Sequence, residues 1–201
     1  MYGSAINHRF IDEAVEALRE GEIIVYPTDS LYALGCNALN NKAVERLCRL
    51  KDINPAKNRL AILCASLSQA SKYVRIDNRA FDVLKEYLPG PFTFILPASN
   101  ELPKAFKGRK EVGLRVPDDP IAVALAEELG NPLMTTTLHI EDVDEDMSEP
   151  ATFEVAEHYA RNGDVSLMID AGSRGVEPTT VVDLTDSSSP EILRQGLGSF
   201  E

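Results

Sequence analysis

Residues 21–36, GEIIVYPTDSLYALGC, join a short apolar strand directly to a polar loop. The strand is predicted over residues 22–26 and ends at Pro27, which has no backbone N–H for a sheet hydrogen bond. Ligands of open α/β sheets bind where buried strands end. This stretch therefore predicts an α/β protein with ligand contacts in residues 27–36. A plain turn is the alternative, in which Tyr32 is a core side chain instead of a ligand contact. The polar side chains at the strand end are Thr28, Asp29 and Ser30.

Helix and strand patterns alternate along the rest of the chain. Apolar residues at helical spacing predict helices over residues 11–20, 42–50, 78–88, 121–129 and 153–161. Short apolar runs predict strands over residues 60–65, 92–97, 112–116, 133–138, 167–170, 179–184 and 192–195. Asn41 is predicted to cap the second helix, and Gly130 to end the fourth. Because the sequence holds no linker, repeat or low-complexity tract, we expect one α/β domain over residues 1–201.

Composition and charge exclude several classes of protein. No apolar run approaches the roughly 20 residues needed to cross a bilayer, and the N-terminal residues do not resemble a signal peptide. We therefore expect a cytoplasmic protein without a membrane partner. The three cysteines and three histidines lack the spacing of a metal site.

The negative charge is concentrated in one segment. The net charge is −12, and EDVDEDMSE at residues 141–149 holds six acidic residues and no basic one. Such a block predicts a solvated loop, with a metal site or a nucleic-acid mimic as alternatives. The remaining chain is only mildly acidic, which is compatible with a local basic cleft.

Cations occur in two segments that suit an anionic ligand. LKDINPAKNRL, residues 50–60, carries Lys51, Lys57 and Arg59, which suit phosphate, although a solubilising loop is the alternative. Arg115 lies inside an apolar strand, where a buried charge is costly unless it is paired. Its partner is predicted to be either an anionic ligand or an internal carboxylate such as Asp118 or Asp119.

Hydroxyl groups and further cations follow in the C-terminal half. Alternation along residues 133–138 and beyond points Thr135, Thr137 and His139 to one face, although threonine also simply favours strands. No phosphate loop, dinucleotide fingerprint or nucleophile turn is present. Polar and cationic candidates near the C-terminus are Arg174, Thr179, Thr180 and Arg194.

In combination, seven segments resemble the YrdC/YciO family, and in particular its YciO branch. The resemblance runs from about Ile11 to Gly198 and rests on the order of the segments as much as on each one. They are IVYPTDSLYALGC (24–36), LCRLKDI (47–53), LPGPFTFIL (88–96), GLRVPDDPIAVAL (113–125), PLMTTTLHI (132–140), PTTVVDLTD (178–186) and ILRQGLG (192–198).

The resemblance implies a single-domain open twisted α/β sheet with a concave, positively charged face. In synthase members this face holds ATP, L-threonine and bicarbonate with Mg²⁺, and the products are threonylcarbamoyl-AMP and pyrophosphate. That reaction is the first step toward threonylcarbamoyladenosine in tRNA. Some relatives are described as binding double-stranded RNA, so tRNA and double-stranded RNA are both implied as partners.

Local chemistry and the resemblance together predict the site residues. The predicted catalytic residues are Lys51 and Arg115. The predicted substrate-binding residues are Thr28, Tyr32, Arg59, Thr135, Thr137 and His139. The predicted nucleotide-binding residues are Lys57, Thr180 and Arg194.

The chain departs from the synthase pattern at two positions. Synthase members carry Lys-x-Arg where this chain has Lys51 and Ile53, and Ser-x-Asn where it has Thr137 and His139. Arg59 is our hypothesis for a replacement of the missing charge. Two functions therefore follow from the sequence: a threonylcarbamoyl-AMP synthase, or a nucleotide- or RNA-binding protein of the same fold without synthase activity.

Overall fold

The computed structural model contains five helices and nine strands in the residues that it describes. It describes residues 8–54, 58–102, 106, 108–138, 158–159, 163–172, 174–175 and 177–201. The helices are α1 His8–Glu20, α2 Asn41–Leu50, α3 Leu67–Ala70, α4 Asn78–Tyr87 and α5 Pro120–Leu129. The strands are β1 Ile24–Tyr26, β2 Ala33–Asn37, β3 Ala61–Leu63, β4 Phe92–Pro97, β5 Glu111–Arg115, β6 Leu133–Thr137, β7 Leu167–Met168, β8 Thr180–Asp183 and β9 Glu191–Arg194.

The strands form one open mixed sheet in the order β7-β1-β2-β6-β3-β5-β4-β8-β9. The pairs β1–β7, β3–β5 and β4–β8 are parallel, and the other neighbours are antiparallel. The predicted α/β class with an open sheet is confirmed. None of the described helices is long and apolar enough to span a membrane.

The two faces of the sheet are covered differently. One face carries the larger core, in which residues of β3, β4, β5 and β8 pack with α2 and α4. On the opposite face, α1 and α5 cover the part formed by β1, β2 and the ends of β3 and β6. Strand side chains point alternately to the two faces of a sheet. In β3, β4, β5 and β8, every second side chain packs into the larger core, and the others point to the opposite face, part of which α1 and α5 leave uncovered. That part forms the cavity described below.

Helix ends follow the chemistry of their caps. The α2 helix is capped by Asn40, whose side chain accepts a hydrogen bond from the backbone N–H of Ala43. The prediction that Asn41 is the cap was wrong by one residue, because Asn41 already has helical conformation. The prediction for Gly130 is confirmed: it ends α5 with φ of 78°, a conformation that favours glycine.

One strand was predicted as loop. Residues 33–37 form β2, which pairs with β1 and β6. Its first four residues are buried on both faces, so they show no apolar–polar alternation, and Gly35 resembles a loop residue. A Cβ atom at Gly35 would lie 2.6 Å from Cε1 of Tyr26, so glycine is required where that ring crosses β2. The short α3 was also missed, while the predicted helix over 153–161 lies largely outside the described residues, as does the whole acidic segment.

Candidate functional site

A cavity of about 280 Å³, here called the sheet cavity, opens on the uncovered part of the sheet face. Small residues form its floor: Ala61 of β3 lies beside Gly113 of β5. A Cβ atom on Gly113 would lie 3.1 Å from Cγ2 of Thr93 and 3.2 Å from Cβ of Ala61, so a larger residue would crowd the floor. The polar side chains of the lining are Arg59, Thr93, Arg115, Thr135, Thr136, Thr137, Thr179 and Arg194.

Arg115 is buried and paired with a carboxylate of its own chain. Its Nη2 donates to Oδ1 of Asp29 at 3.1 Å and to Oγ1 of Thr28 at 3.2 Å. The other oxygen of Asp29 accepts from the backbone N–H of Asp118 at 3.0 Å. An internal carboxylate therefore pairs with Arg115, as one of the two predicted alternatives had it. It is Asp29 instead of Asp118 or Asp119, because Asp119 caps α5 and pairs with Arg174.

Arg115 also retains donor capacity. Its buried Nε has no hydrogen-bond partner in the part of the chain that the structure describes. Buried polar atoms in folded proteins nearly always have a partner, and Arg115 lines the sheet cavity. An acceptor atom on a ligand would satisfy this donor.

Arg194 brings a second guanidinium group to the same cavity. Its Nη2 donates to the backbone oxygen of Thr179 at 2.9 Å, which holds the side chain against β8. Arg194 remains partly open to solvent, and its pKa is lowered by partial desolvation of the guanidinium group and then by the positive charge of Arg115. Two cations that repel one another are stabilised by an anion between them. The sheet cavity is therefore suited to an anionic ligand.

Threonine hydroxyls supply neutral hydrogen-bonding groups around these cations. The hydroxyls of Thr93 and Thr179 lie 3.0 Å apart, and that of Thr135 lies 2.7 Å from the hydroxyl of Tyr26. Burial raises the pKa of Tyr26 to about 12, so its hydroxyl stays neutral at physiological pH. Thr137 lines the cavity from the end of β6, as the alternation with Thr135 predicts.

Arg59 is the third arginine of the lining, and its charge is balanced within the protein. Its Nε donates to Glu111 at 2.8 Å, and its Nη2 lies 3.6 Å from a carboxylate oxygen of Asp183. The hydrogen bond to Glu111 raises the pKa of Arg59. Ile53 lines the same cavity, where it supplies an apolar surface.

Four other predicted site residues do not line the sheet cavity. Thr28 supports Arg115 and donates to the backbone oxygen of Leu31 at 2.6 Å. Tyr32 is fully buried, and its hydroxyl donates to the backbone oxygen of Gly172 at 2.8 Å. The Nζ atom of Lys51 lies 5.7 Å from the ring centroid of Tyr159.

Thr180 is the fourth of these residues. It is fully buried, and its hydroxyl donates to the backbone oxygen of Gly198 at 2.5 Å and accepts from the backbone N–H of Gly196 at 2.9 Å. The neighbouring Thr179 lines the cavity in its place. The remaining predictions, Lys57 and His139, lie outside the described residues.

Sequence reasoning missed several groups at this site. Asp29 was noted only as a polar residue at the end of a strand, and Thr93 lies in residues 92–97, which were predicted as a strand without a site residue. The alternation of β4 could have identified Thr93, because Phe92 and Phe94 occupy the opposite face. Glu111 and Asp183 carry no local signal, since only the tertiary structure brings them to Arg59.

This architecture defines a class: an open α/β sheet with an arginine- and threonine-lined cavity on one face. Residues 16–196 match the Sua5/YciO/YrdC family, whose model is described as telomere recombination. The chain belongs to this family, as the resemblance predicts.

The relatives include both YciO proteins and synthases. The chain is 42% identical to YciO of Escherichia coli, which is named an uncharacterised protein, over 96% of this chain and 92% of YciO. The crystal structure of that protein superposes with a TM-score of 0.83 at 40% identity, over the same shares of the two chains. A threonylcarbamoyl-AMP synthase of Klebsiella pneumoniae is 30% identical over 92% of this chain and 95% of the synthase. P. abyssi Sua5 complexed with L-threonine gives a TM-score of 0.78 at 34% identity, over 92% of this chain and 54% of Sua5.

Proposed function

We propose that the sheet cavity binds ATP and that the chain is a threonylcarbamoyl-AMP synthase-like protein. The single observation that carries the anion site is that two guanidinium groups, those of Arg115 and Arg194, line one cavity. The relationship to threonylcarbamoyl-AMP synthases supports the choice of ATP, L-threonine and bicarbonate as substrates.

The chemistry requires positioning and charge neutralisation. The amino group of threonine adds to bicarbonate to give a carbamate, with loss of water. A carbamate oxygen then attacks the α-phosphorus of ATP, and the bond to the β-phosphate oxygen breaks to release pyrophosphate. Negative charge develops on the phosphate oxygens, where guanidinium groups stabilise it. Arg115 and Arg194 would perform this role, and the hydroxyls of Thr93 and Thr179 would orient the reactants.

Mg²⁺ would enter with the nucleotide, and when bound it would neutralise part of the negative charge of the phosphates. The described residues contain no group of three or more histidine, cysteine, aspartate or glutamate side chains that could hold a metal ion. Mg²⁺ is commonly held by substrate phosphates and water with few protein carboxylates. The donor set of the cavity is therefore compatible with a Mg²⁺–ATP complex, in which the protein chiefly binds the ligand. The adenylate would serve threonylcarbamoyladenosine formation in tRNA.

A second candidate function is binding of a nucleotide or RNA without the synthase reaction. Ile53 stands in the cavity lining where the synthase pattern has an arginine, and the charge of Arg59 is balanced by two carboxylates. Both observations leave the site with less free positive charge than the synthase pattern provides. RNA binding would weaken steeply with salt, because phosphate contacts release counterions.

Pyrophosphate release from ATP, L-threonine, bicarbonate and Mg²⁺ distinguishes these functions. We expect threonine-dependent release by the wild-type protein. In Arg194→Gln the rate of release should fall by about 100-fold or more, because the variant lacks a positive charge that would stabilise the negative charge developing on the phosphate oxygens. Arg75→Gln is the matched control, since Arg75 is exposed, lies outside the cavity lining and donates from its side chain to Asn100. No release with ATP binding intact would favour the second candidate. Release that Arg194→Gln leaves unchanged would refute the proposed site.

A further inference from the structure

The cavity contains a third arginine whose partners belong to the chain itself. Arg59 donates to Glu111 of β5 at 2.8 Å and lies 3.6 Å from Asp183 of β8. Half of the Arg59 side chain is exposed, and Arg59 lines the sheet cavity. The group that could bind a ligand is thus held by two carboxylates from different strands of the same sheet.

Both carboxylates lie on the face of the sheet that carries the cavity. Glu111 is two residues from Gly113, and Asp183 is two residues from Val181, and both of these neighbours line the cavity. Asp183 is fixed in place, because its Oδ1 accepts from the backbone N–H of Thr185 at 2.9 Å and from the hydroxyl of the same residue at 2.6 Å. Its Oδ2 is the atom nearest Arg59.

We propose that Glu111 and Asp183 are specificity-determining residues that weaken the binding of ligands with a second anionic group. This inference rests on the proposed anion site. A ligand with one anionic group between Arg115 and Arg194 leaves the pairs of Arg59 intact. A ligand with further charged groups, such as the β- and γ-phosphates of ATP, competes with Glu111 and Asp183 for the guanidinium group of Arg59.

The exposure of the pair makes this exchange feasible. The side chains of Arg59 and Glu111 are 50% and 36% exposed, and ion pairs exposed to this extent contribute little to stability. Arginine forms strong, often bidentate hydrogen bonds with phosphate. The carboxylates therefore reduce the affinity for polyphosphate without preventing its binding, and they leave the affinity for a monophosphate nearly unaffected.

The test measures the affinities of Mg²⁺–ATP and AMP by titration calorimetry. In Glu111→Gln, which keeps the shape of the side chain and removes its charge, we expect ATP to bind about tenfold more tightly, and AMP to bind nearly as in the wild type. Glu101→Gln is the matched control, because Glu101 is an exposed carboxylate outside the cavity lining. The same Glu111→Gln change is then made in an Arg59→Ala background, where the proposal expects a much smaller gain.

Each alternative outcome has a distinct meaning. Equal gains with and without Arg59 would show that Glu111 acts only through its negative charge, and would overturn the proposal. An unchanged ATP affinity in Glu111→Gln, with wild-type binding that depends on Arg194, would overturn the proposal and leave the anion site standing. Binding of neither nucleotide by any of the folded proteins would refute the proposed ATP site itself, and the inference with it.

Discussion

Replacing Asp29 by alanine leaves Arg115 buried without its carboxylate partner. The side chains of Arg115 and Asp29 are 4% and 8% exposed, so water hardly screens their interaction. Removing one partner of a buried ion pair costs about 3–5 kcal/mol, because the other charge stays buried alone. The backbone N–H of Asp118 loses its acceptor as well. For a chain of this size, 1 kcal/mol lowers Tm by about 2–4 °C, which gives a decrease of about 6–20 °C.

The measurement is urea and thermal unfolding of Asp29→Ala, followed by circular dichroism. The matched control is Asp82→Ala, because Asp82 is exposed on α4. A surface change of this kind shifts the free energy of unfolding by no more than about 0.5 kcal/mol. A loss below about 1 kcal/mol in Asp29→Ala would refute the reasoning, since the charge of Arg115 would then be balanced by some other group.

The remaining predictions concern one tyrosine and two adjacent threonines. Because burial raises the pKa of Tyr26 from 10.0 to about 12, its contribution to stability is complete below pH 10 and is lost as the pH rises to about 12. Between pH 10 and 12 the free energy of unfolding of the wild type should fall by about 3 kcal/mol through this group, and that of Tyr26→Phe should fall correspondingly less. Urea unfolding at each pH measures both values, and identical declines in the two proteins would contradict this assignment. Thr180→Val should lower the free energy of unfolding by about 1–3 kcal/mol, because its buried hydroxyl bonds two backbone groups, and should leave ATP affinity unchanged. Thr179→Val should weaken ATP binding, and equal effects of both variants in calorimetry would argue against the placement of Thr179 at the ligand.

The sequence pattern predicted most accurately those helices and strands that begin or end at a proline or glycine turn. The strand Phe92–Pro97 was predicted at its observed bounds, since LPGP precedes it and fixes its start. Gly130 was likewise assigned correctly as the end of α5. In contrast, β2 could not be recognised, because burial on both faces removes the alternation that marks a strand.

The site was predictable only as far as single residues carry a signal. An arginine inside an apolar strand indicated a paired buried charge, and Arg115 is buried and paired. Its partner Asp29 is 86 residues away, and no local pattern encodes that contact. Thr179 and Thr180 follow the same proline, and only the register of β8 against β4 decides which of them faces the cavity.

The order of the strands places one side of the cavity at an edge of the sheet. Among the described strands, β9 pairs with β8 and forms that edge, and it carries Arg194. An edge strand has a partner along one side only, and proteins open locally where few contacts hold a segment. Fraying of β9 alone would therefore withdraw Arg194 from the cavity, while Arg115, in the interior of the sheet, would keep its place.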